Sequence, residues 1–151
     1  MCLQETLGWS ANLLKLDVAW NLIIGTISPD FRSSGRLDTL VLMGNGLYGE
    51  IPTKLGECKS SIRVRLAKNY LKGLIPAGFF NLPSNTMLEP NDNALSEEMP
   101  TLMVGDVLSK IDLSNNFMSG PIPSAIDKLP TLQTLSLDSN RFSGAIPPEV
   151  E

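Results

Sequence analysis

The sequence predicts an α/β-type repeat solenoid, with a parallel β-sheet on a concave face, irregular or 3-10 segments on the convex face and few regular helices. Two observations carry this. Asn21, Asn45, Asn69, Asn93, Asn116 and Asn140 follow one another at intervals of 24, 24, 24, 23 and 24 residues. Each of these asparagines also closes a short run of alternating apolar residues and is followed by a Gly and then an Ile-Pro pair, or by what remains of them. A fixed period of this length belongs to stacked units that each bury a face only against their neighbours. The 151 residues therefore need no central globular core.

Taken in order, residues 1–12 read as the end of a preceding repeat. Full copies follow at 13–36, 37–60, 61–84, 85–107 and 108–131, and 132–151 is an incomplete one. The second copy shows every part: Leu37, Leu40, Leu42, Asn45, Leu47, Gly49, Ile51-Pro52 and Leu55. Alternation in Leu40-Val41-Leu42 has the strand period, which puts Leu40 and Leu42 inward and Val41 on the open face. Stacked strands of this kind form a parallel sheet at about 4.8 Å spacing. The Asn amide is placed to satisfy backbone groups at the corner where the ladder ends. Gly offers a position without Cβ, and Pro, lacking a donor, marks where regular pairing gives way to the outer arc.

The recurring Leu-x-Gly-x-Ile-Pro segment resembles the plant-specific subclass of leucine-rich repeats, over almost the whole chain. Residues 49–60, from Gly49-Glu50-Ile51-Pro52 to Cys58-Lys59-Ser60, together with Arg63-Val64-Arg65, are similar to the ectodomains of CLAVATA-type receptor kinases, including the BARELY ANY MERISTEM group. That resemblance implies a binding module and not an enzyme. It implies a horseshoe or superhelix whose inner face takes a small secreted peptide, with a co-receptor kinase as a further partner, at the extracellular side of the plasma membrane. A membrane span and a serine/threonine kinase are implied only for a longer family member.

Composition narrows the chemistry. Sixteen acidic against twelve basic residues leave a net charge of −4, which argues against non-specific nucleic-acid binding. With no His, and with Cys2 and Cys58 the only cysteines, neither catalytic triads of the His type nor a zinc site nor a disulfide framework can be built, so no catalytic residue, metal or cofactor is expected. Cys58 falls at an inward position of the outer arc, and Cys2 lies more than two repeats away, beyond the roughly 7 Å limit for a bridge. The start, Met1-Cys2-Leu3-Gln4-Glu5, lacks a basic and then apolar leader. The longest uncharged stretch, Gly73 to Leu88, is interrupted by Pro76, Pro83 and Asn85, so no membrane insertion is expected. The absence of Asn-x-Ser/Thr is mild evidence against the secretory pathway.

The outward strand residues line the concave face, and among them Arg63 and Arg65 form the one conspicuous cluster of like charge. Separated by one inward residue, they project to the same side about 7 Å apart. Each guanidinium presents a fork that matches a planar carboxylate. In the resembled family an Arg-x-Arg pair at this place recognises the last residue of the peptide, and the carry-over falls on Arg63 and Arg65 alone. Lys68, Glu89 and an apolar patch of Trp20, Val41 and Met43 complete the candidate ligand-binding set.

A plainer reading stands beside it. Arg65 shares its position with Glu89 in the next copy, and Lys68 shares its own with Asp92, so both pairs could be a surface ladder worth roughly 0.2–1 kcal/mol each. Arg63, between Thr39 and Met87, has no such neighbour, and Trp20 could simply cover the Gly44 backbone. The carboxylates Glu89, Asp92, Asp112 and Asp138 sit on an open sheet, without the burial that would tune them for glycoside cleavage.

Some copies depart from the pattern. Pro90 takes an inward Leu position, Ser61 the opening Leu, Glu97 the Gly and Ser28 the Pro of an Ile-Pro pair. Pro90 removes a ladder donor and a burial worth about 1.5–3 kcal/mol for a full Leu. Without capping units, both ends are expected to expose apolar edges and promote self-association. A twelve-residue peptide, about 40 Å extended, would call for roughly eight repeats, so only its end could be held, and weakly. An extracellular inhibitor of cell-wall-degrading enzymes and a non-functional gene fragment are the rival readings.

Overall fold

A computed structural model describes residues 13–29, 37–57 and 63–148. Cys2, Cys58 and Ser61, with the expectations attached to them, lie outside these residues. The chain is a solenoid with two faces of parallel β-structure and short helical turns between them, as the period requires. On the first face β1 (Lys15–Asp17), β3 (Thr39–Val41) and β5 (Arg63–Arg65) pair in that order. Farther along the same face β7 (Met87–Leu88), β9 (Lys110–Asp112) and β11 (Thr134–Ser136) form a second group. Leu40, Leu42, Val64, Leu66, Leu88, Ile111 and Leu113 are buried behind these strands. Pro90 is buried among them at its inward position.

The segment after each Asn pairs as well, which the Leu-x-Gly-x-Ile-Pro pattern did not disclose. β2 (Ile24–Gly25), β4 (Gly46–Glu50), β6 (Tyr70–Gly73) and β8 (Ala94–Leu95) form a four-stranded parallel sheet, and β10 (Ser119–Gly120) pairs with β12 (Arg141–Phe142). The glycine closing this ladder has a left-handed backbone in five copies, with φ of 129° at Gly25 and 77° to 86° at Gly49, Gly73, Gly120 and Gly144. Glu97 stands at that position in the remaining copy and does not adopt positive φ. The ladder breaks there, leaving one bridge between Glu98 and Ser119.

The asparagines do more than close a corner. Asn69 Nδ2 donates to Leu66 O and Ala67 O of its own repeat and to Leu42 O of the preceding one, at 3.1, 3.2 and 3.1 Å. Its Oδ1 accepts from Leu47 N, again in the preceding repeat, at 3.1 Å. Asn45, Asn93, Asn116 and Asn140 repeat the crossing bonds to the carbonyls of Val18, Leu66, Pro90 and Leu113. One side chain thus joins two units and satisfies four buried backbone groups. Pro90, which cannot donate, still accepts through its carbonyl from Asn93 and Asn116.

Convex connections are short. Among the described residues their helical turns are the single turn α1 (Thr53–Gly56) and 3-10 segments at Ala77–Asn81 and Ser124–Lys128. Leu55, Phe79, Phe80 and Ile126 turn inward from them to close the core. Gly56 and Gly78 bring two of these turns together backbone to backbone, since a Cβ on Gly78 would strike the Gly56 carbonyl.

Candidate functional site

The first face is broken between β5 and β7, beside the two arginines, and side chains fill the break. Asn85, where Leu37 and Leu108 stand in other copies, is completely buried. Its Oδ1 lies 3.4 Å from Val64 N, and its Nδ2 has no partner among the described residues. Arg65 Nη1 donates to Met87 O at 2.8 Å. Beyond the break the backbone ladder resumes, with Lys68 N bonded to Asn91 O and Asn69 N to Asp92 O.

Arg65 is therefore partly committed. Its Nε also lies 3.7 Å from Glu89 Oε2, as the in-register pairing anticipated. Glu89 in turn accepts from Lys110 Nζ at 2.8 Å, and Lys110 lies 3.6 Å from Asp112. These four residues alternate in sign along the face. The Glu89 hydrogen bond holds the Lys110 ammonium above its ordinary pKa; burial opposes this, while the charges of Glu89 and Asp112 add to it. A lysine raised on folding contributes stability that is complete below its unfolded pKa and lost as pH rises through the folded one. Urea midpoints should thus be insensitive to the Lys110 contact up to about pH 10 and fall above it. Glu89→Gln should abolish most of that alkaline dependence, and an unchanged profile would deny the coupling.

Arg63 differs from Arg65. It lies at the exposed start of β5, opposite Thr39, and its guanidinium has no ion pair or hydrogen bond among the described residues. Val41, opposite Arg65, and Met43 are half-buried on the same face. Trp20, Gly44, Lys68, Asp92, Asn115 and Ser139, which precede the asparagines, all have left-handed backbone, with φ from 53° to 66°. Gly, Asn and Asp accept this conformation readily, whereas for other residues it costs roughly 1–2 kcal/mol.

The expected Lys68–Asp92 pair does not form. Lys68 Nζ stands 5.4 Å from the centroid of the Trp20 ring, while Asp92 is taken by the side-chain amides of Asn91 and Asn115 at 2.8 and 2.9 Å. The Trp20 ring lies over Gly44 so closely that a Cβ there would come within 2.6 Å of it, so Trp20 does cover the Gly44 backbone. The glycine lets the ring lie across to Lys68. The candidate residues consequently sort into a free Arg63, a tethered Arg65 with Glu89, and a Trp20–Lys68 pair at the end of the strands. Val41 and Met43 lie between them.

Among the described residues no group of His, Cys, Asp and Glu could hold a metal ion, and no helix is long and apolar enough to cross a membrane. The family model for the Leucine Rich Repeat matches residues 107–129 and 131–151. Receptor like protein 27 of Arabidopsis thaliana is 34% identical over 142 residues, covering 91% of this chain and 17% of that protein. Among solved structures, the ectodomain of the Arabidopsis receptor kinase HAESA, in complex with an N-terminally extended IDA peptide hormone, is 38% identical. Its TM-score is 0.86, over 99% of this chain and 25% of that one. Pollen Receptor Kinase 3 is 31% identical with a TM-score of 0.78, over 91% of this chain and 67% of that one. The chain thus spans less than a quarter of the receptor-like proteins it matches.

Proposed function

Since this chain belongs to the plant leucine-rich-repeat receptor ectodomains, we propose that it is a peptide-binding module. Its first face receives an extended peptide, and Arg63 takes the free C-terminal carboxylate. The observation that carries this is the contrast between the two arginines. Arg65 spends one arm on Met87 O and faces Glu89, whereas Arg63 is exposed on the same strand and has no partner among the described residues. An unpaired guanidinium offers two parallel donors to a carboxylate, and charge-assisted bonds of this kind are about twice as strong as neutral ones. In this arrangement Arg65 lines the site as a held wall. Val41, Met43 and Trp20 give the preceding residues an apolar track, and Lys68 and Glu89 border it. HAESA, with its peptide hormone, is the precedent for a ligand of this class on this fold.

A co-receptor kinase as partner, and the extracellular side of the plasma membrane as location, follow from the same family reading. The test is calorimetric titration with one short apolar peptide as the free acid and as its amide. The free acid should bind about tenfold more tightly, equivalent to about 1.4 kcal/mol. Arg63→Ala should erase the difference. Equal affinities in the folded parent would remove the carboxylate assignment and leave the arginines as part of a surface ladder.

A further inference from the structure

The second sheet carries a surface unlike the rest of the molecule at its N-terminal half. Leu22, Ile24, Tyr48 and Tyr70 are all exposed there, Leu22 to 92%. The ladder puts Ile24 beside Gly46 and Tyr48 beside Tyr70. Between them lies an open hollow of ≈ 320 Å³, floored by Gly44 and Gly46 and walled by Leu22, Ile24 and Tyr70. No charged residue lines it. Gly44 also lies under the Trp20 ring, so the exposed Trp20 with Lys68 against it forms one lip of the same surface.

Near this hollow stand Lys68, whose ammonium lies over the Trp20 ring, and Lys72, with Glu50 beside it in the ladder. Lys15, Arg65 and Lys110 all have carboxylates within 4 Å. Lys68 and Lys72 have none among the described residues. Glu50, opposite Lys72 in the ladder, packs against Gly73 instead. An apolar hollow with two ammonium groups near it, neither within 4 Å of a carboxylate among the described residues, is complementary to an apolar side chain with acidic neighbours.

We propose that this rim is a docking site for an acidic segment of a partner protein. One bulky apolar side chain enters the hollow between Leu22, Ile24 and Tyr70, and the carboxylates beside it meet Lys68 and Lys72. The site shares Trp20 and Lys68 with the first-face reading but does not use Arg63, so substitution of Arg63 tells the two apart. Contact through one side chain and two exposed charges gives modest affinity, with Kd on the order of 10–100 µM.

Calorimetry with a short peptide of leucine and phenylalanine flanked by glutamates, acetylated and amidated so that no terminal carboxylate is present, tests this. The parent should bind it saturably and should not bind the lysine-flanked counterpart. Leu22→Ser and Lys68→Glu, both at exposed positions, should each weaken binding about tenfold or more, while Arg63→Ala should leave it unchanged. Equal binding of the two peptides, no binding to the folded chain, or indifference to both substitutions overturns the proposal. A dimer dissolved by Leu22→Ser would place a second copy on this surface and overturn it equally.

Discussion

Asn69→Ala should lower the unfolding free energy by about 2–4 kcal/mol, as measured by urea denaturation. The substitution removes four hydrogen bonds at once: Leu47 N loses its acceptor in the interior, and the carbonyls of Leu42, Leu66 and Ala67 each lose one donor while keeping Asn45 Nδ2, Asn93 Nδ2 and Gly44 N. An unsatisfied buried group costs about 1–3 kcal/mol, and the carbonyls, with a second lone pair, suffer less than the amide. Asn69→Asp is the sharper test because it barely changes the shape. A carboxylate keeps the acceptor for Leu47 N but turns an oxygen toward three carbonyls that had received a donor. At neutral pH it should therefore be at least as destabilising as alanine. Burial and those carbonyls raise the carboxyl pKa in the folded state, so its deficit relative to the parent should shrink as pH falls and the group is protonated. A loss below about 1 kcal/mol for both variants would show that water replaces the amide and that the ladder is not what couples the repeats.

Gly78→Ala should cost about 3 kcal/mol, against the direction that helix propensity alone predicts. In a solvent-exposed helical turn alanine is favoured over glycine by about 1 kcal/mol. Here the added methyl meets the Gly56 carbonyl, which is backbone and cannot swing aside. The turn at Thr53–Gly56 and the 3-10 segment at Ala77–Asn81 must then separate, and overpacking of this kind costs about 1–3 kcal/mol or more. Gly56→Ala is the internal control, because its Cβ would meet its nearest neighbours at 3.1 Å and should be tolerated better. Thermal melts that rank Gly78→Ala at or above the parent would mean that the convex spacing is not set by this contact.

The period, the inward residues and the burial of Pro90 were legible because each depends on one position repeated every 24 residues. What the sequence did not reveal lies between copies. The Asn amide was expected at the corner, but its reach to a carbonyl 27 residues earlier needs the stacking distance, which no local pattern carries. The glycine after each Asn reads as punctuation, yet its left-handed backbone lets the flanking residues pair as a second sheet. At the candidate site, the freedom of Arg63 followed from its neighbours Thr39 and Met87. The hold on Arg65 by Met87 O did not, because it exists only where Asn85 takes over the backbone of Val64. Lys68 missed Asp92 for a related reason. Asp92 is satisfied by two amides, and the absent Gly44 side chain opens the way to Trp20.

The two interruptions of the ladders fall on opposite sides of the same repeat. The first sheet is cut between β5 and β7, where β6 still pairs with β8, and the second is reduced to one bridge after β8, where β7 still pairs with β9. The seams are staggered like courses of brick, so no single plane across the solenoid is without a run of backbone pairing. A crack that opens on one side meets an intact course on the other. The irregular copy can thereby bend the stack without splitting it into two independently melting blocks.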